Sequence, residues 1–262
     1  MAKQIISVSD ITAYLYCPRK LWLAKIKGIR EPPNRAMILG KIKHRALELF
    51  NLLEKDFIIT ISRKLEEKEI EETYKEIMRT SALQAFQENA DMAERLSLYV
   101  TTFLAEFLPL TENEIKLRIL PLLQAMKLYS GREIWENLTP KYKVELALLS
   151  EELGIKGRID RVSFTENILP FELKTRGKDD VYKSDKIQLA AYALLLEEKY
   201  KQPVKIGIVE AGNKKQEIEL TEELRNEVLE IAEKVRNLKE EFPSNFSRCK
   251  NCSLKDECFK EE

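Results

Sequence analysis

Gly157-Arg158-Ile159-Asp160 and Phe171-Glu172-Leu173-Lys174 are the two stretches that decide the fold. The first lies in an apolar run over Ile155–Thr165. The second ends another over Ile168–Lys174. Glu166-Asn167 marks a turn between them, so the pair reads as a hairpin. Side chains alternate across a strand, which puts Glu172 and Lys174 on one face. The hairpin brings Asp160 near Glu172. Two carboxylates meeting at one point repel unless they share a proton or a cation. A hard divalent metal is the usual partner, held by carboxylates, water and phosphate. A lysine beside them can hold or activate a water and offset phosphate charge. This is the skeleton of metal-dependent phosphodiester hydrolysis. With 34% charged residues, one Asp plus Glu-x-Lys also arises by chance, so the neighbours must decide.

Downstream, a helix over about Ser184–Lys199 carries Gln188 and Tyr192 four residues apart, on one helical face. An amide and a phenol there could hold substrate or the lysine, or be a core tyrosine with a polar neighbour. A strand over Val204–Glu210, a Gly212-Asn213 hairpin turn and a strand over Gln216–Leu220 follow. Thr221 caps a helix running to about Glu241, with Glu222 and Glu223 in its first turn. Pro243 stops it. Upstream, a strand over Lys143–Leu149 ends before Gly154. Glu145 lies on it and could also face the site, but is left outside the candidate set.

The first half of the chain reads as helical. Ser9 caps a helix with Tyr14, Leu15, Leu21 and Trp22 as apolar positions and Gly28 after it. This stripe is either core or a surface on which bases stack. Pro32-Pro33 breaks the chain before a helix over about Ala36–Leu53. It carries His44, the one histidine, which is either an ordinary polar residue or a ligand. From Ser62 to Tyr129 apolar residues recur every three or four positions with no Gly. Pro109 and Pro121 divide that stretch, which reads as a helical insertion.

At 262 residues the chain holds one or two domains. No run of ~18 apolar residues exists, which excludes a membrane-spanning helix. The opening MAKQIISVSDITAYLYC lacks the apolar core of a secretory signal, so a cytoplasmic setting is expected. Lys plus Arg and Asp plus Glu both number 44, which excludes a whole-protein basic footprint. Between Ile11 and Arg45, however, nine Lys or Arg stand against the single acid Glu31. That tract is either a solvated helix face or an anion-binding surface.

The four cysteines are Cys17, Cys249, Cys252 and Cys258. A cytoplasmic setting disfavours disulfides. The two-residue gap between Cys249 and Cys252 lets both thiolates face one metal. By count, four thiolates suit zinc or an iron–sulfur cluster equally. Free thiols that happen to cluster are the alternative. A shared site would tie the N-terminal segment to the C-terminal one.

The ordered set resembles a known family. It runs Cys17-Pro18-Arg19-Lys20, Gly40-x-x-x-His44, Gly157-x-x-Asp160, Glu172-x-Lys174, Gln188-x-x-x-Tyr192, Cys249-x-x-Cys252-x-x-x-x-x-Cys258. This resembles the Cas-four family of CRISPR-associated exonucleases, with a RecB-like nuclease fold, over nearly the whole chain. The resemblance implies an α/β, restriction-endonuclease-like PD-(D/E)xK core sheet flanked by helices. An iron–sulfur clasp would join its two terminal segments.

It implies a single RecB-like nuclease domain over 1–262. Within it lie an N-terminal helical segment (1–54), a helical insertion (62–130), a nuclease core (141–220), and a C-terminal helix with the cysteine cluster (221–262). It implies Mn²⁺ or Mg²⁺ on His44, Asp160, Glu172 and the carbonyl of Leu173. Lys174 would be catalytic, supported by Gln188 and Tyr192. The cysteines would hold a [4Fe–4S] cluster, with [2Fe–2S] or zinc as alternatives. The implied activity is exonuclease cleavage of single-stranded DNA, commonly 5′→3′, before a CRISPR adaptation integrase complex inserts it as a spacer. A homo-oligomer is compatible with it. The other readings are an AddB- or RecB-type repair nuclease, a nuclease-inactive DNA-binding adaptor, and a redox sensor. The long 62–130 stretch departs from compact members and leaves substrate access open.

Overall fold

The computed structural model describes residues 3–139, 141–174, 180–211, 214–239 and 246–260. Its strands are β1 (Ile6–Ser7), β2 (Lys141–Ser150), β3 (Ile155–Phe164), β4 (Ile168–Lys174), β5 (Ile206–Ala211) and β6 (Lys214–Glu219). The N-terminal helices are α1 (Val8–Tyr16), α2 (Pro18–Lys25) and α3 (Arg35–Ile59). Then come α4 (Glu67–Gln87), α5 (Ala90–Arg95), α6 (Val100–Phe107), α7 (Glu112–Ala125) and α8 (Arg132–Asn137). After the hairpin stand α9 (Lys183–Tyr200), α10 (Glu222–Arg236) and α11 (Lys255–Cys258). The expected turn at Gly212-Asn213 and the stop at Pro243 lie outside the described residues.

The strands of the second half fall where alternation placed them. The sheet has six strands, and β3 is its hub. Along one edge β2 pairs antiparallel with β3, from Lys141 opposite Phe164 to Ser150 opposite Ile155. The other edge is shared. β1 pairs parallel at Ile155 and Lys156, and β4 pairs antiparallel only from Arg161 to Phe164. Beyond Phe171, β4 parts from β3 while keeping β5 on its other edge, up to Lys174 opposite Ala211. β5 closes against β6. The two-residue β1 is too short for a periodicity signal.

Local chemistry corrects several helix boundaries. Ser7, not Ser9, caps α1. Its hydroxyl accepts from the Asp10 N–H at 3.1 Å, and Asp10 accepts from the Ser7 N–H at 3.0 Å. The chain is still in β1 at Ser7, so Ser9 falls inside the helix. The expected single helix through Trp22 is two helices. Cys17 adopts extended backbone and caps α2, with Pro18 in its first turn. α3 runs past Leu53 to Ile59, because Glu54 and Ile58 continue its buried face. Glu54 disguised this, being charged yet buried. Pro121 does not break α7. α7 carries exposed Leu117 and Leu120, so its flank meets water, which can take up the freed carbonyl. α10 ends at Arg236, short of Glu241.

Two apolar clusters carry the structure. One packs the sheet against α1, α9 and α10, with Val8, Ile11, Ile155, Ile159, Leu189 and Val228 inside. The other lies among α3, α4, α6, α7 and α8, with Ile42, Phe50, Tyr74, Met78 and Leu122 inside. A chain of buried ions joins them. Arg118 pairs with Glu54 and, at 2.7 Å, with Glu114. Glu114 also pairs with Arg161 of β3, which reaches Glu210 of β5 at 2.7 Å. Tyr142 lies between the two guanidiniums, 5.1 and 5.2 Å from its ring centre. Burial pushes Glu114 up, but Arg161 and Arg118 outweigh it and hold it at about 2.

Arg118→Ala would leave Glu54 and Glu114 buried without their shared cation. Removing one partner of a buried pair costs about 3–5 kcal/mol. Urea unfolding is expected to show a loss of that size.

Candidate active site

The registers of β2, β3 and β4 set three carboxylates abreast. Constant pairing between β2 and β3 puts Glu145 opposite Asp160. Extending the β3–β4 pairing by one step puts Glu172 opposite Asp160 on its other side. Residues directly opposite one another on neighbouring strands share a face, and like charges there destabilise the sheet. This row forms where β4 parts from β3. The Leu173 N–H donates at 2.8 Å to Oδ2 of Asp160, so a side chain replaces a ladder partner. His44, on α3, approaches from above the row. Its Nδ1 lies 3.4 Å from Oδ1 of Asp160 and 3.6 Å from Oε1 of Glu145.

Lys174 is held on three sides. Its ammonium donates to Oε1 of Glu172 at 2.7 Å and to Oε1 of Gln188 at 3.1 Å. It pairs with Oδ1 of Asp185 at 3.2 Å. Gln188 donates onward to the Tyr192 hydroxyl, which donates to the Arg158 carbonyl, both at 2.9 Å. The chain of bonds ties the α9 face to the strand bearing Asp160. Gly157 permits this approach. A Cβ there would stand 3.0–3.1 Å from Val8, Tyr192 and Leu195, closer than such contacts ordinarily fall.

The electrostatics separate the acids by role. Burial raises Glu172 to about 8, Asp160 adds to the rise, and Lys174 opposes it. Glu172 is 4% exposed, and its Oε2 has no hydrogen-bond partner among the described residues. Burial also raises Asp160 against the pull of His44. His44 is raised first by its bond to Glu145, with burial working against it. Hard carboxylate oxygens and one imidazole suit Mn²⁺ or Mg²⁺, and the orphaned oxygen of Glu172 is a donor site without an acceptor. The residues therefore fit a divalent cation. Donor atoms of His44, Glu145 and Asp160 all lie within 4.8 Å of one another.

Sequence reasoning missed Asp185, and it noted Glu145 as able to face the site without counting it among the site residues; counting register back through the Gly154 turn places it there. Asp185 is 1% exposed and sits one turn before Gln188, on the same helix face. Of the basic tract, much is used internally. Arg19 is buried and donates to the Cys258 carbonyl; Lys20 pairs with Glu31 and Lys25 with Asp10. Arg35 donates to the carbonyls of Leu96 and Ser97. Trp22 is buried beneath Arg19 and Lys27, so it offers no stacking surface, and Tyr14 packs on the core. Tyr16 is 47% exposed and flanked by Lys20 and Arg248. Lys41, Arg45 and Arg158 do line a cleft of about 490 Å³ shared with His44, Glu145 and Asp160.

The four cysteines are unpaired thiols. Burial raises the Cys258 thiol; Arg19 opposes this, while Cys17 and Cys249 add to it. The two ends of the chain thus meet at one place. Among the described residues, no three cysteine sulfurs lie within 4.8 Å of one another.

A cation must displace the proton that Glu172 holds below about 8. Mn²⁺ affinity is therefore expected to rise with pH up to about 8 and then level off. Calorimetry in buffers of different ionisation enthalpy should show proton release that Glu172→Gln abolishes.

A model of the PD-(D/E)XK nuclease superfamily matches residues 5–259. A CRISPR-associated exonuclease Cas4/endonuclease Cas1 fusion of Leptospira interrogans is 31% identical over 156 residues, 52% of this chain and 29% of the relative. A fusion of the same description from Myxococcus xanthus is 31% identical over 149 residues, 51% of this chain and 26% of that one. A CRISPR-associated exonuclease Cas4 of Francisella tularensis subsp. novicida is 33% identical over 85 residues, 32% of this chain and 43% of the relative. The chain thus spans less than half the length of each of these relatives. Their names agree with the resemblance carried by the motif order. With a fork of strands presenting Asp160, Glu172 and Lys174, and a family match spanning nearly every residue, the chain belongs to the PD-(D/E)XK nuclease superfamily.

Proposed function

We propose that this chain is a metal-dependent exonuclease of single-stranded DNA, cutting 5′→3′, that processes DNA before spacer integration in CRISPR adaptation. The observation that carries the reading is Glu172. A buried carboxylate with an orphaned oxygen, beside Asp160 and a firmly held lysine, is a site built for a cation. His44, Asp160 and Glu172, with the carbonyl of Leu173, would hold Mn²⁺ or Mg²⁺. The ion would supply Lewis acidity to the scissile phosphate and acidify a bound water.

The chain's own groups do the rest. Lys174 positions the attacking water and offsets charge developing on the phosphate. Asp185 and Gln188 keep its ammonium aimed at that point. Tyr192 and Gln188 fix the distance between α9 and the Asp160 strand. Lys41 and Arg45 border the cleft and track the strand's phosphates. The helical stretch forms one wall of that cleft through Glu88 and Asn89, which supports a role in enclosing the strand. No helix among the described residues is long and apolar enough to cross a membrane.

The cysteines would hold a [4Fe–4S] cluster, as a clasp between the terminal segments. Four thiolates match its ligand count, with zinc as the alternative. The fused relatives support an adaptation integrase as partner, since in them one chain carries both names.

Single-stranded DNA labelled separately at each end tests the activity. Wild type purified without oxygen is expected to cleave only with Mn²⁺ or Mg²⁺, releasing the 5′ label first. Glu172→Ala is expected to be inert. Inactivity of a folded, metal-loaded wild type would overturn the reading. Iron analysis of the same preparation should give about four irons per chain. Cys252→Ser should lose them and be destabilised more than its chemistry is changed. A zinc-only preparation would overturn the cluster.

A further inference from the structure

Glu145 is not free in this structure. Its Oε2 pairs with Nε of Arg158, and its Oε1 lies 3.6 Å from His44. Arg158 is the more exposed partner: its side chain is 59% exposed, against 13% for Glu145. It lies on the cleft wall and leans on Glu48 at 3.7 Å. So the carboxylate row has one member masked by a cation that can leave. The row itself is short of positive charge. Glu172 keeps an orphaned buried oxygen among the described residues, and Glu145, Asp160 and His44 stand within one ligand sphere.

A phosphodiester is the natural competitor for Arg158. A guanidinium takes a phosphate through two parallel hydrogen bonds, whereas here it meets Glu145 through one nitrogen and Glu48 only at 3.7 Å. The cleft that admits the strand is the one Arg158 lines.

We propose that Arg158 is an exchangeable counter-ion. In the free protein it neutralises Glu145; when DNA enters it transfers to a backbone phosphate and releases Glu145 as a further carboxylate ligand for the divalent cation. This rests on the nuclease reading of the same site and adds a regulation to it. Cation and DNA then bind with positive coupling, and the coupling is reciprocal. Metal is held weakly until substrate is present. Asp160, between Glu145 and Glu172, is shared by both halves of the row. Glu145 also holds a positive φ of 51° within β2, an uncommon conformation for a non-glycine residue in a strand.

The test is a binding measurement on the full chain. Mn²⁺ affinity is measured by calorimetry, alone and with a nuclease-resistant phosphorothioate single strand, with Mn²⁺ binding to the strand itself subtracted. Wild type is expected to bind Mn²⁺ roughly 10-fold tighter with the strand, within the usual range of such couplings. Arg158→Gln is expected to bind Mn²⁺ more tightly than wild type without DNA and to gain little from adding it. Glu145→Gln is expected to lose the DNA-dependent gain. Arg158→Lys keeps the charge and serves the same comparison if the Gln variant does not fold; its coupling should be reduced.

Wild-type coupling that survives unchanged in Glu145→Gln, or Mn²⁺ affinity that falls in Arg158→Gln, overturns the exchange. Absence of coupling in a wild type that binds Mn²⁺ does so too. These outcomes leave the nuclease reading standing. A wild type that binds no Mn²⁺ at all overturns both.

Discussion

The structure depends on the point where β4 stops following β3. Had the hairpin zipped to its full length, Asp160 and Glu172 would face each other across a closed ladder. Instead β4 parts from β3 after Phe171 while keeping β5 on its other edge, and the Leu173 N–H is satisfied by the Asp160 carboxylate. An amide left without a partner at that depth would be costly. The side chain that opens the fork is therefore the one that makes it affordable. The same carboxylate then serves as the central acid of the row. Gly157 completes the constraint, because only a residue without a Cβ lets Tyr192 approach the strand this closely.

Two carboxylates show how burial separates structure from chemistry. Glu114 and Glu172 are both largely enclosed, yet they go in opposite directions. Glu114 has Arg118 and Arg161 on it and is held at about 2. Glu172 has one lysine, already shared with Gln188 and Asp185, and a like charge opposite; it rises to about 8. The first is a finished ion pair and belongs to the joint between the two cores. The second is short of positive charge in a place where nothing in the described chain supplies it. That imbalance, and not the presence of acids as such, distinguishes a cation site in a chain with 34% charged residues.

Alternation and turn residues made the sheet legible. β2, β3 and β4 were visible, and the offset between Asp160 and the Glu-x-Lys pair followed from them. Gln188 and Tyr192 were legible as a helical pair. The parts that escaped share one cause: a charged residue inside. Glu54 hid the last turn of α3. Asp185, not singled out in the sequence, accepts from the Tyr182 N–H at the start of α9 with one oxygen while the other holds Lys174. Glu145 faces Asp160 only through a register that a single-strand reading does not count. The basic tract misled in the other direction. Local surplus left an anion-binding surface open, but acids and carbonyls of the fold engage Arg19, Lys20, Lys25 and Arg35. Sequence shows the charge a segment carries and not what lies across from it.

The clasp of the termini is similarly built from long-range partners. Arg248 donates to the carbonyls of Leu15 and Tyr16. Glu31 is shared by Lys20 and Ser253. Trp22, Leu23, Leu254 and Cys258 form a small apolar cluster of their own. These contacts hold Cys17 near Cys258 by protein alone, but four buried side chains make a weak core. Upstream, Val8 and Ile11 are anchored in the main core, and α1 packs on α9. The break at Cys17 separates α1, packed on the main core, from α2, which reaches that core through Leu21 and the small cluster through Trp22 and Leu23. The contacts of the cysteine lobe thus join segments from the two ends of the chain, and α1 links that region to α9, the helix that carries Gln188 and Tyr192.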